Sequence, residues 1–273
     1  MTRYYRIASV TVRVDQDWQE ALPLFEDFAC AEEPQEADIR VRLFAGAKLF
    51  EPCYGVSFLC SPCAALFCSQ EFPQVRMAAS ADWRELTIEN AEGRVPGVME
   101  LFLTGFYSYF ARRGGALLHA SLVEYEGEGV AFLGPSGVGK TTQARLWQKH
   151  AGAHILNGDK VLLESVPGGR VLAWGSPWRG SSPYAVNRGV PLRALVLLSQ
   201  APENSLQPLR PEETFPALAP HVFYPAWDAA GTALLMETLS ACFAQAASFR
   251  LSCRPEEEAV ALLRRAVWGE ARA

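Results

Sequence analysis

The chain has 273 residues, of which 49% are hydrophobic and 20% charged, a balance typical of a globular enzyme and unlike that of a disordered chain. The formal net charge is −5, so no overall positive charge is available to neutralise phosphates, and nucleic acid is not expected as a partner. No apolar run approaches the roughly 18 residues needed to span a membrane, and the N-terminus lacks the pattern of a secretory signal. We therefore expect a cytoplasmic protein without a membrane partner, whose seven cysteines are reduced thiols or metal ligands.

Residues 1–113 are predicted to form an N-terminal α+β domain. The opening stretch MTRYYRIASVTVRVDQDW alternates apolar and polar residues, which is typical of a first strand. The domain closes with an apolar segment, Val98–Phe110, followed by two arginines and then Gly114-Gly115. Basic residues followed by glycine indicate the end of a helix, so we place the domain boundary at residue 113.

Four cysteines lie close together in this domain, at Cys53, Cys60, Cys63 and Cys68. Four thiolates are able to hold zinc or an iron–sulfur cluster, although only the step from Cys60 to Cys63 has a spacing familiar from metal sites. The surrounding residues are largely apolar, which favours buried free thiols over a metal site.

Residues 114–273 alternate strand and helix patterns in an order that predicts a mixed sheet. The predicted elements are a hairpin (116–125 and 130–133), a helix (141–150, with Gly152 as its stop), a strand (155–159), a second hairpin (161–165 and 170–174), a buried strand (195–198), and helices from 211, from about 226 to 246 and from 255 to 268. A doubly wound nucleotide fold would place a crossover helix before the glycine-rich loop that follows Leu133. Here a hairpin precedes that loop, so we predict an α/β fold with a mixed sheet.

The loop itself matches the pattern G-x-x-x-x-G-K-T. Its residues are Gly134, Pro135, Ser136, Gly137, Val138, Gly139, Lys140 and Thr141, and we add the neighbouring Thr142 to the predicted nucleotide-binding set. Glycines allow successive backbone N–H groups to point at phosphate oxygens, and the start of a helix adds partial positive charge. Lys140 is predicted to reach the β- and γ-phosphates, and the Thr141 hydroxyl to bind Mg²⁺.

The run from His119-Ala-Ser-Leu-Val through this loop to Ile155-Leu-Asn-Gly-Asp-Lys160 resembles the catalytic core of HPr kinase/phosphorylase, which is related to the ATP-binding part of phosphoenolpyruvate carboxykinase. The resemblance is close over about residues 114–180. It implies a P-loop kinase core, ATP and Mg²⁺ as cofactors, and a histidine at the position of His119. It also implies an acidic pair after the loop helix, one acid acting as base and the other holding Mg²⁺.

The chain departs from that pattern at the acidic pair. Either Gly158-Asp159 stands in its place, which leaves the base position empty, or Asp159-Lys160 does, which makes Asp159 the base. The glutamate-bearing signature of the bacterial enzymes is also replaced, by Trp174-Gly-Ser-Pro-Trp-Arg-Gly180.

The predicted function is Mg-ATP-dependent transfer of the γ-phosphate to a hydroxyl, on a serine of a small protein or peptide or on a small molecule. The candidate catalytic residues are Asp159, Lys140, His119 and Arg179, and the candidate metal ligands are Thr141 and Asp159. The N-terminal domain is expected to recognise the acceptor or to mediate assembly, and a homo-oligomer is one candidate assembly. The alternatives are a nucleotide-binding sensor without catalysis and a metal-binding regulatory protein.

Overall fold

The computed structural model describes residues 1–17, 22, 25–46, 49–53, 56–59 and 64–269, with only the backbone described for 50–53 and 56–59. The chain divides into two compact units, Met1–Arg113 and Gly114–Ala273. In the described part of the chain, no helix is both long and apolar enough to cross a membrane. Across the same residues, no group of three or more histidine, cysteine or acidic side chains is placed to hold a metal.

The prediction for the cysteine cluster falls mostly outside the described residues. Cys60 and Cys63 lie in the undescribed segment 60–63, and the side chain of Cys53 is not described. Cys68 is an exposed free thiol. Metal binding by the four cysteines therefore stays a prediction.

The part of the N-terminal unit that the structure describes contains a six-stranded sheet in the order β1-β2-β3-β8-β7-β6, a separate two-stranded sheet of β4 and β5, and one long α-helix. The elements are β1 (Thr2–Ile7), β2 (Val10–Gln16), β3 (Ile39–Phe44), β4 (Phe50–Cys53), β5 (Val56–Leu59), β6 (Ala65–Cys68), β7 (Val75–Ala79), β8 (Glu85–Asn90) and α1 (Val95–Arg112). β3 pairs in parallel with β2 and with β8, and the other neighbouring pairs are antiparallel. The unit thus has the α+β character predicted for it.

The alternating segment predicted as a first strand is strand structure, but it is divided into the antiparallel pair β1 and β2. Ala8 adopts a left-handed conformation with φ 52° and, with Ser9, makes the reversal. This tight turn contains no glycine, asparagine or proline, so the segment lacks the usual signal of a hairpin.

In its described residues, 114–269, the C-terminal unit has a nine-stranded mixed sheet and four α-helices. The strands are β9 (Gly115–Tyr125), β10 (Glu128–Leu133), β11 (His154–Asn157), β12 (Lys160–Ser165), β13 (Val171–Trp174), β14 (Gly189–Gln200), β15 (Ser205–Pro208), β16 (Val222–Phe223) and β17 (Ala247–Cys253). The helices are α2 (Lys140–Ala151), α3 (Pro211–Leu218), α4 (Ala229–Gln245) and α5 (Glu257–Trp268). The main strand order is β10-β9-β12-β13-β14-β17-β15, with β11 and β16 also pairing with β9.

The sheet is mixed because β14 lies parallel to both β10 and β17, whereas the other pairings are antiparallel. This confirms the predicted mixed-sheet α/β fold. Both predicted hairpins are present, as β9–β10 and β12–β13, and the predicted loop helix is α2. β17, which is the second of the two parallel neighbours of β14, was not predicted from the sequence.

Trp147 fixes the loop helix to the sheet. Its side chain is 0% exposed and packs in a core with Phe132 of β10, Val196 of β14 and Leu263 of α5. Burial of a large aromatic side chain stabilises a helix position by several kcal/mol in order of magnitude. The N-terminal end of α2 is therefore held at a defined place beside the ends of β10 and β14.

Candidate functional site

The glycine-rich loop connects the end of β10 at Leu133 to the start of α2 at Lys140. Gly137 and Gly139 have φ of 78° and 114°, in the left-handed region where a side chain would be strained. Gly139 is also the N-cap residue of α2. The loop therefore presents the first free N–H groups of the helix at its tip, together with the positive end of the helix dipole.

Lys140 points back into this loop. It is 7% exposed, and its Nζ donates to the carbonyl oxygens of Gly134 at 3.0 Å and Pro135 at 3.2 Å. Burial lowers the pKa of Lys140, and the nearby carboxylate of Asp159 opposes that effect. The backbone of Lys140 is held as well, because the Ser121 hydroxyl of β9 donates to its carbonyl oxygen at 2.9 Å.

Asp159 lies between two basic side chains. His119 Nε2 is 3.0 Å from its Oδ1, and Lys160 Nζ donates to its Oδ2 at 2.7 Å. His119 and Lys160 are paired residues of β9 and β12, which explains why both reach this carboxylate. Burial would raise the pKa of Asp159, but the hydrogen bonds and charges of His119 and Lys160 outweigh it and hold the pKa at about 2. Asp159 is therefore firmly ionised at neutral pH.

A buried asparagine shapes the turn that carries Asp159. Asn157 Oδ1 accepts from the backbone N–H groups of Asp159 and Lys160, both at 2.8 Å. Its Nδ2 donates to the carbonyl oxygen of Ser176 at 2.8 Å, and the Ser176 hydroxyl donates to the carbonyl oxygen of Lys160 at 2.7 Å. Asn157 and Ser176 are both 0% exposed. The turn is thus fixed from inside the protein and does not depend on surface contacts.

Gly158 has no room for a side chain. A Cβ atom built there would lie 2.5 Å from Ser182 Cβ and closer still to Ser182 Oγ. The Ser182 hydroxyl accepts a hydrogen bond from the backbone N–H of Tyr184 at 3.1 Å, which holds it in place. The serine of a loop far along the chain thus fills the space that an acidic side chain at position 158 would occupy.

One cavity of about 270 Å³ collects most of the predicted site residues. Its lining comprises His119, Ser136, Gly137, Gly139, Lys140, Thr141, Thr142, Gly158, Asp159, Arg179, Ser181 and Ser182. Gly134 and Pro135 contact the cavity residue Lys140 through their carbonyl groups, and Val138 lines a neighbouring cavity. The lining is mostly polar and carries charges of both signs, from Lys140 and Arg179 and from Asp159.

Arg179 and Thr141 occupy the rim and the floor of the site. Arg179 Nη1 donates to the carbonyl oxygen of Pro183 at 3.0 Å, and this hydrogen bond spans the loop that carries Ser182. Thr141 Oγ1 lies 3.4 Å from the carbonyl oxygen of Gly158, which joins the loop helix to the turn of Asp159. The structure therefore brings the predicted catalytic and metal-binding residues, Lys140, Thr141, His119, Asp159 and Arg179, to one cavity.

Several residues in and around this site were not predicted to be part of it. Lys160 was considered only as a replacement for an acid, and Asn157 and Ser182 were given no role. His221 was also missed: it precedes β16, whose Val222 pairs with Leu118, so it lies near the strand position of His119. Burial and the charges of Lys140 and His119 lower the pKa of His221. Of these four residues only Ser182 lines the cavity, and Ser182 and His221 belong to segments far along the chain from the loop, with no motif that marks them.

The fold and the site define an α/β protein with a mixed sheet and a glycine-rich loop between a buried parallel strand and a helix. The chain belongs to the family described as SynChlorMet cassette protein ScmC, whose model matches residues 88–249, more than half of the sequence. No curated protein matches the sequence.

Among solved structures, the chain is similar to "Hpr(Ser) kinase/phosphatase from Coxiella burnetii". The identity is 10% and the TM-score 0.33, over 55% of this chain and 94% of that one. This is a relation of the fold at most, and it says nothing about the activity of the present chain.

Proposed function

We propose that the C-terminal unit binds ATP with Mg²⁺ at the glycine-rich loop and transfers the γ-phosphate to a hydroxyl. The observation that carries the proposal is the meeting of Lys140, Thr141, His119 and Asp159 at one cavity on the N-terminal end of α2. A loop of N–H donors, a buried ammonium and a helix N-terminus suit the charge of a triphosphate. The polar turn that carries Asp159 would lie beside the γ-phosphate, which is the end of the phosphate chain that reacts.

The donors around the cavity fit a magnesium ion. Thr141 provides a hydroxyl and Asp159 an ionised carboxylate, and both are the hard oxygen ligands that Mg²⁺ prefers together with phosphate oxygens and water. Each oxygen of Asp159 already accepts one hydrogen bond, which leaves a lone pair on each for a further interaction. When bound there, the ion would neutralise charge on the transferring phosphate.

The acceptor hydroxyl must lose a proton, and Asp159 is poorly suited to take it. A carboxylate with a pKa of about 2 is a weak base at neutral pH, and the two basic neighbours stabilise its charge further. His119 is the better candidate, since its Nε2 is engaged with Asp159 Oδ1 and its other ring nitrogen can accept a proton. We therefore assign Asp159 to charge and metal, and His119 to the proton.

The acceptor is proposed to be a serine of a small protein or peptide, with a small molecule as the alternative. The N-terminal unit would recognise that acceptor or mediate assembly. The whole chain has a formal net charge of −5, so it has no general affinity for phosphate-rich partners. Recognition of the acceptor would therefore rest on specific contacts.

The proposal is tested by nucleotide binding and phosphate transfer with matched lysine variants. Lys140→Ala should abolish binding of a fluorescent ATP analogue, whereas Lys149→Ala, which removes an exposed lysine from the last turn of the same helix, should leave it unchanged. With γ-labelled ATP, Mg²⁺ and candidate acceptors, wild-type protein should label an acceptor and Lys140→Ala should not. Equal ATP binding by wild type and Lys140→Ala would contradict the proposal.

A nucleotide-binding sensor without transfer is the second candidate. It is favoured by one observation, that Gly158 carries no carboxylate and Ser182 occupies the space for one. Tight ATP binding that depends on Lys140, with no hydrolysis and no labelled acceptor, would select the sensor over the kinase.

A further inference from the structure

A cleft of about 240 Å³ lies on the six-stranded sheet of the N-terminal unit. Arg13, Arg40 and Arg84 line it, together with Tyr4 and the segment 34–37, and we call it the arginine cleft. The segment contributes one acidic side chain to the described lining, so three positive charges face one negative charge. This local excess of positive charge stands out in a chain whose formal net charge is −5.

The pairing of the strands places the arginines side by side. Arg13 of β2 and Arg40 of β3 are partners in neighbouring parallel strands. The valines and the isoleucine that flank them in sequence are 0% exposed, so both arginines project from the other face of the sheet. Arg84 adjoins them, because its carbonyl oxygen accepts from the backbone N–H of Arg40 at 2.7 Å. Like charges opposite one another destabilise a sheet, so an anion bound between these side chains would relieve their repulsion.

Arg13 is held in a fixed orientation by its neighbours. Its Nε and Nη2 donate to the two carboxylate oxygens of Asp15 at 2.9 and 3.1 Å. Its guanidinium carbon lies 5.9 Å from the centre of the Tyr4 ring, and the Tyr4 hydroxyl donates to Glu33 Oε1 at 2.6 Å. Tyr4 is itself the strand partner of Arg13. The guanidinium is thus oriented before any ligand arrives, which reduces the entropy that binding would cost.

The other two arginines are less fully engaged. Arg84 Nε donates to the carbonyl oxygen of Asp38 at 3.2 Å. The ion pair of Arg40 Nη1 with Glu85 Oε1 measures 3.8 Å, which is too long for a hydrogen bond. A guanidinium has more N–H donors than these contacts use, so each arginine has donors to offer a ligand in the cleft.

We propose that the arginine cleft binds a compact dicarboxylate, with one carboxylate on Arg13 and the other on Arg40. Neighbouring strands lie about 4.8 Å apart, a separation that the two carboxylates of a four-carbon diacid can match. Arginine binds carboxylates through paired hydrogen bonds, the geometry that Arg13 already shows with Asp15. The volume of about 240 Å³ is below the range of drug-sized pockets, which restricts the ligand to a small molecule. The inference is independent of the proposed function, because the cleft belongs to the N-terminal unit and contains no residue of the glycine-rich loop.

The test is a calorimetric titration of the full chain with succinate, with acetate and with inorganic phosphate, at matched ionic strength. We expect succinate to bind at least on the order of 10-fold more tightly than acetate, because its second carboxylate adds a charged hydrogen bond. Phosphate is titrated in competition with succinate and should displace it poorly, because one compact anion cannot engage both guanidinium groups as two carboxylates do.

Two arginine variants assign the binding to the cleft. Arg40→Gln should weaken succinate binding by on the order of 10-fold or more. Arg6→Gln is the matched control: Arg6 is exposed on β1, between the buried Tyr5 and Ile7, and lies outside the residues that line the cleft. It removes the same charge from the same face of the sheet and should bind succinate as wild type. Both positions are exposed, so both variants should keep the thermal midpoint of wild type.

The outcomes that would overturn the inference are distinct. Absence of succinate binding would reject the site outright. Equal affinities for succinate and acetate would reject the pairing of two carboxylates with two arginines. An equal loss in Arg6→Gln and Arg40→Gln would show a general effect of surface charge. Phosphate that displaces succinate and binds more tightly would overturn the choice of a dicarboxylate.

Discussion

The close contact between Gly158 and Ser182 gives a sharp expectation for Gly158→Ala. The backbone at Gly158 is outside the left-handed region, so an alanine introduces no conformational strain of its own. Its Cβ would nevertheless lie 2.5 Å from Ser182 Cβ and closer to Ser182 Oγ. A short serine side chain cannot escape by rotation when its own Cβ is in contact, so the loop backbone around Ser182 must move.

Overpacking of this kind costs about 1–3 kcal/mol. In a unit of this size, each kcal/mol lowers the thermal midpoint by roughly 2–4 °C. We expect Gly158→Ala to lower the midpoint of the C-terminal unit accordingly, measured by calorimetry. Gly46→Ala is the matched control, because a Cβ at Gly46 meets nothing within 4 Å. It should leave the thermal midpoint of the C-terminal unit unchanged.

The second variant, Ser182→Gly, identifies the cause. It removes both atoms that a Cβ at position 158 would meet, so the double variant Gly158→Ala/Ser182→Gly should recover most of the loss. Residues in contact show coupling energies of about 0.5–3 kcal/mol in such cycles. If Gly158→Ala is as stable as wild type, or if the two losses simply add, the account of Ser182 as the occupant of this space is refuted.

Two further expectations concern the charged groups of the same unit. The pKa of Asp159 is held at about 2, below its ordinary value of 3.8, so its charge stabilises the fold above pH 4 and loses this effect as the pH falls towards 2. In urea unfolding, Asp159→Asn should be less stable than wild type by on the order of 2 kcal/mol at pH 7, and the difference should shrink between pH 4 and pH 2.5; a gap independent of pH would contradict this. Arg188→Ala should cost about 1–3 kcal/mol, because it leaves Glu124, with 7% of its side chain exposed, without the 2.6 Å contact to Nη2 of the half-exposed Arg188. Arg188→Lys should restore part of that loss, and equal stability of all three proteins would argue against the ion pair.

The parts of the fold that local patterns specify were predictable, and the parts that depend on distant segments were not. The loop from Gly134 to Thr141 is encoded by its own residues, and the hairpin β9–β10 by a glycine turn between apolar runs. By contrast, the sequence of β17 resembles that of any short apolar segment. Only its parallel pairing with β14 shows that it belongs to the sheet beside the site. The turn at Ala8 and Ser9 was not predicted, because alanine is unusual at a left-handed position and the turn lacks the Asn-Gly or Asp-Gly pair that marks a two-residue hairpin.

The candidate site divides in the same way. Lys140, Thr141 and Asp159 were predictable because a motif or a short spacing marks them. The contact between His119 and Asp159 depends on the register of β9 against β12, in which His119 pairs with Lys160. A sequence pattern places these residues on strands but does not fix that register, since a shift by one residue would turn His119 to the other face.

The two alignments left open at the acidic pair are no longer equivalent. If Asp159 stood at the base position, Lys160 would replace the metal-binding acid, yet Lys160 Nζ contacts Asp159 Oδ2 at 2.7 Å and supports its ionised form. A proton acceptor would not be held at a pKa of about 2 by two basic neighbours. Gly158, with Ser182 in the space of its missing side chain, fits the empty base position. We infer that Asp159 is the retained charge-bearing acid, so under the proposed function the choice between phosphate transfer and nucleotide binding alone depends on His119. His119→Gln, which can still donate to Asp159 but cannot take up a proton, should then bind ATP as wild type and lose phosphate transfer. Unchanged transfer would show that another group accepts the proton of the acceptor hydroxyl.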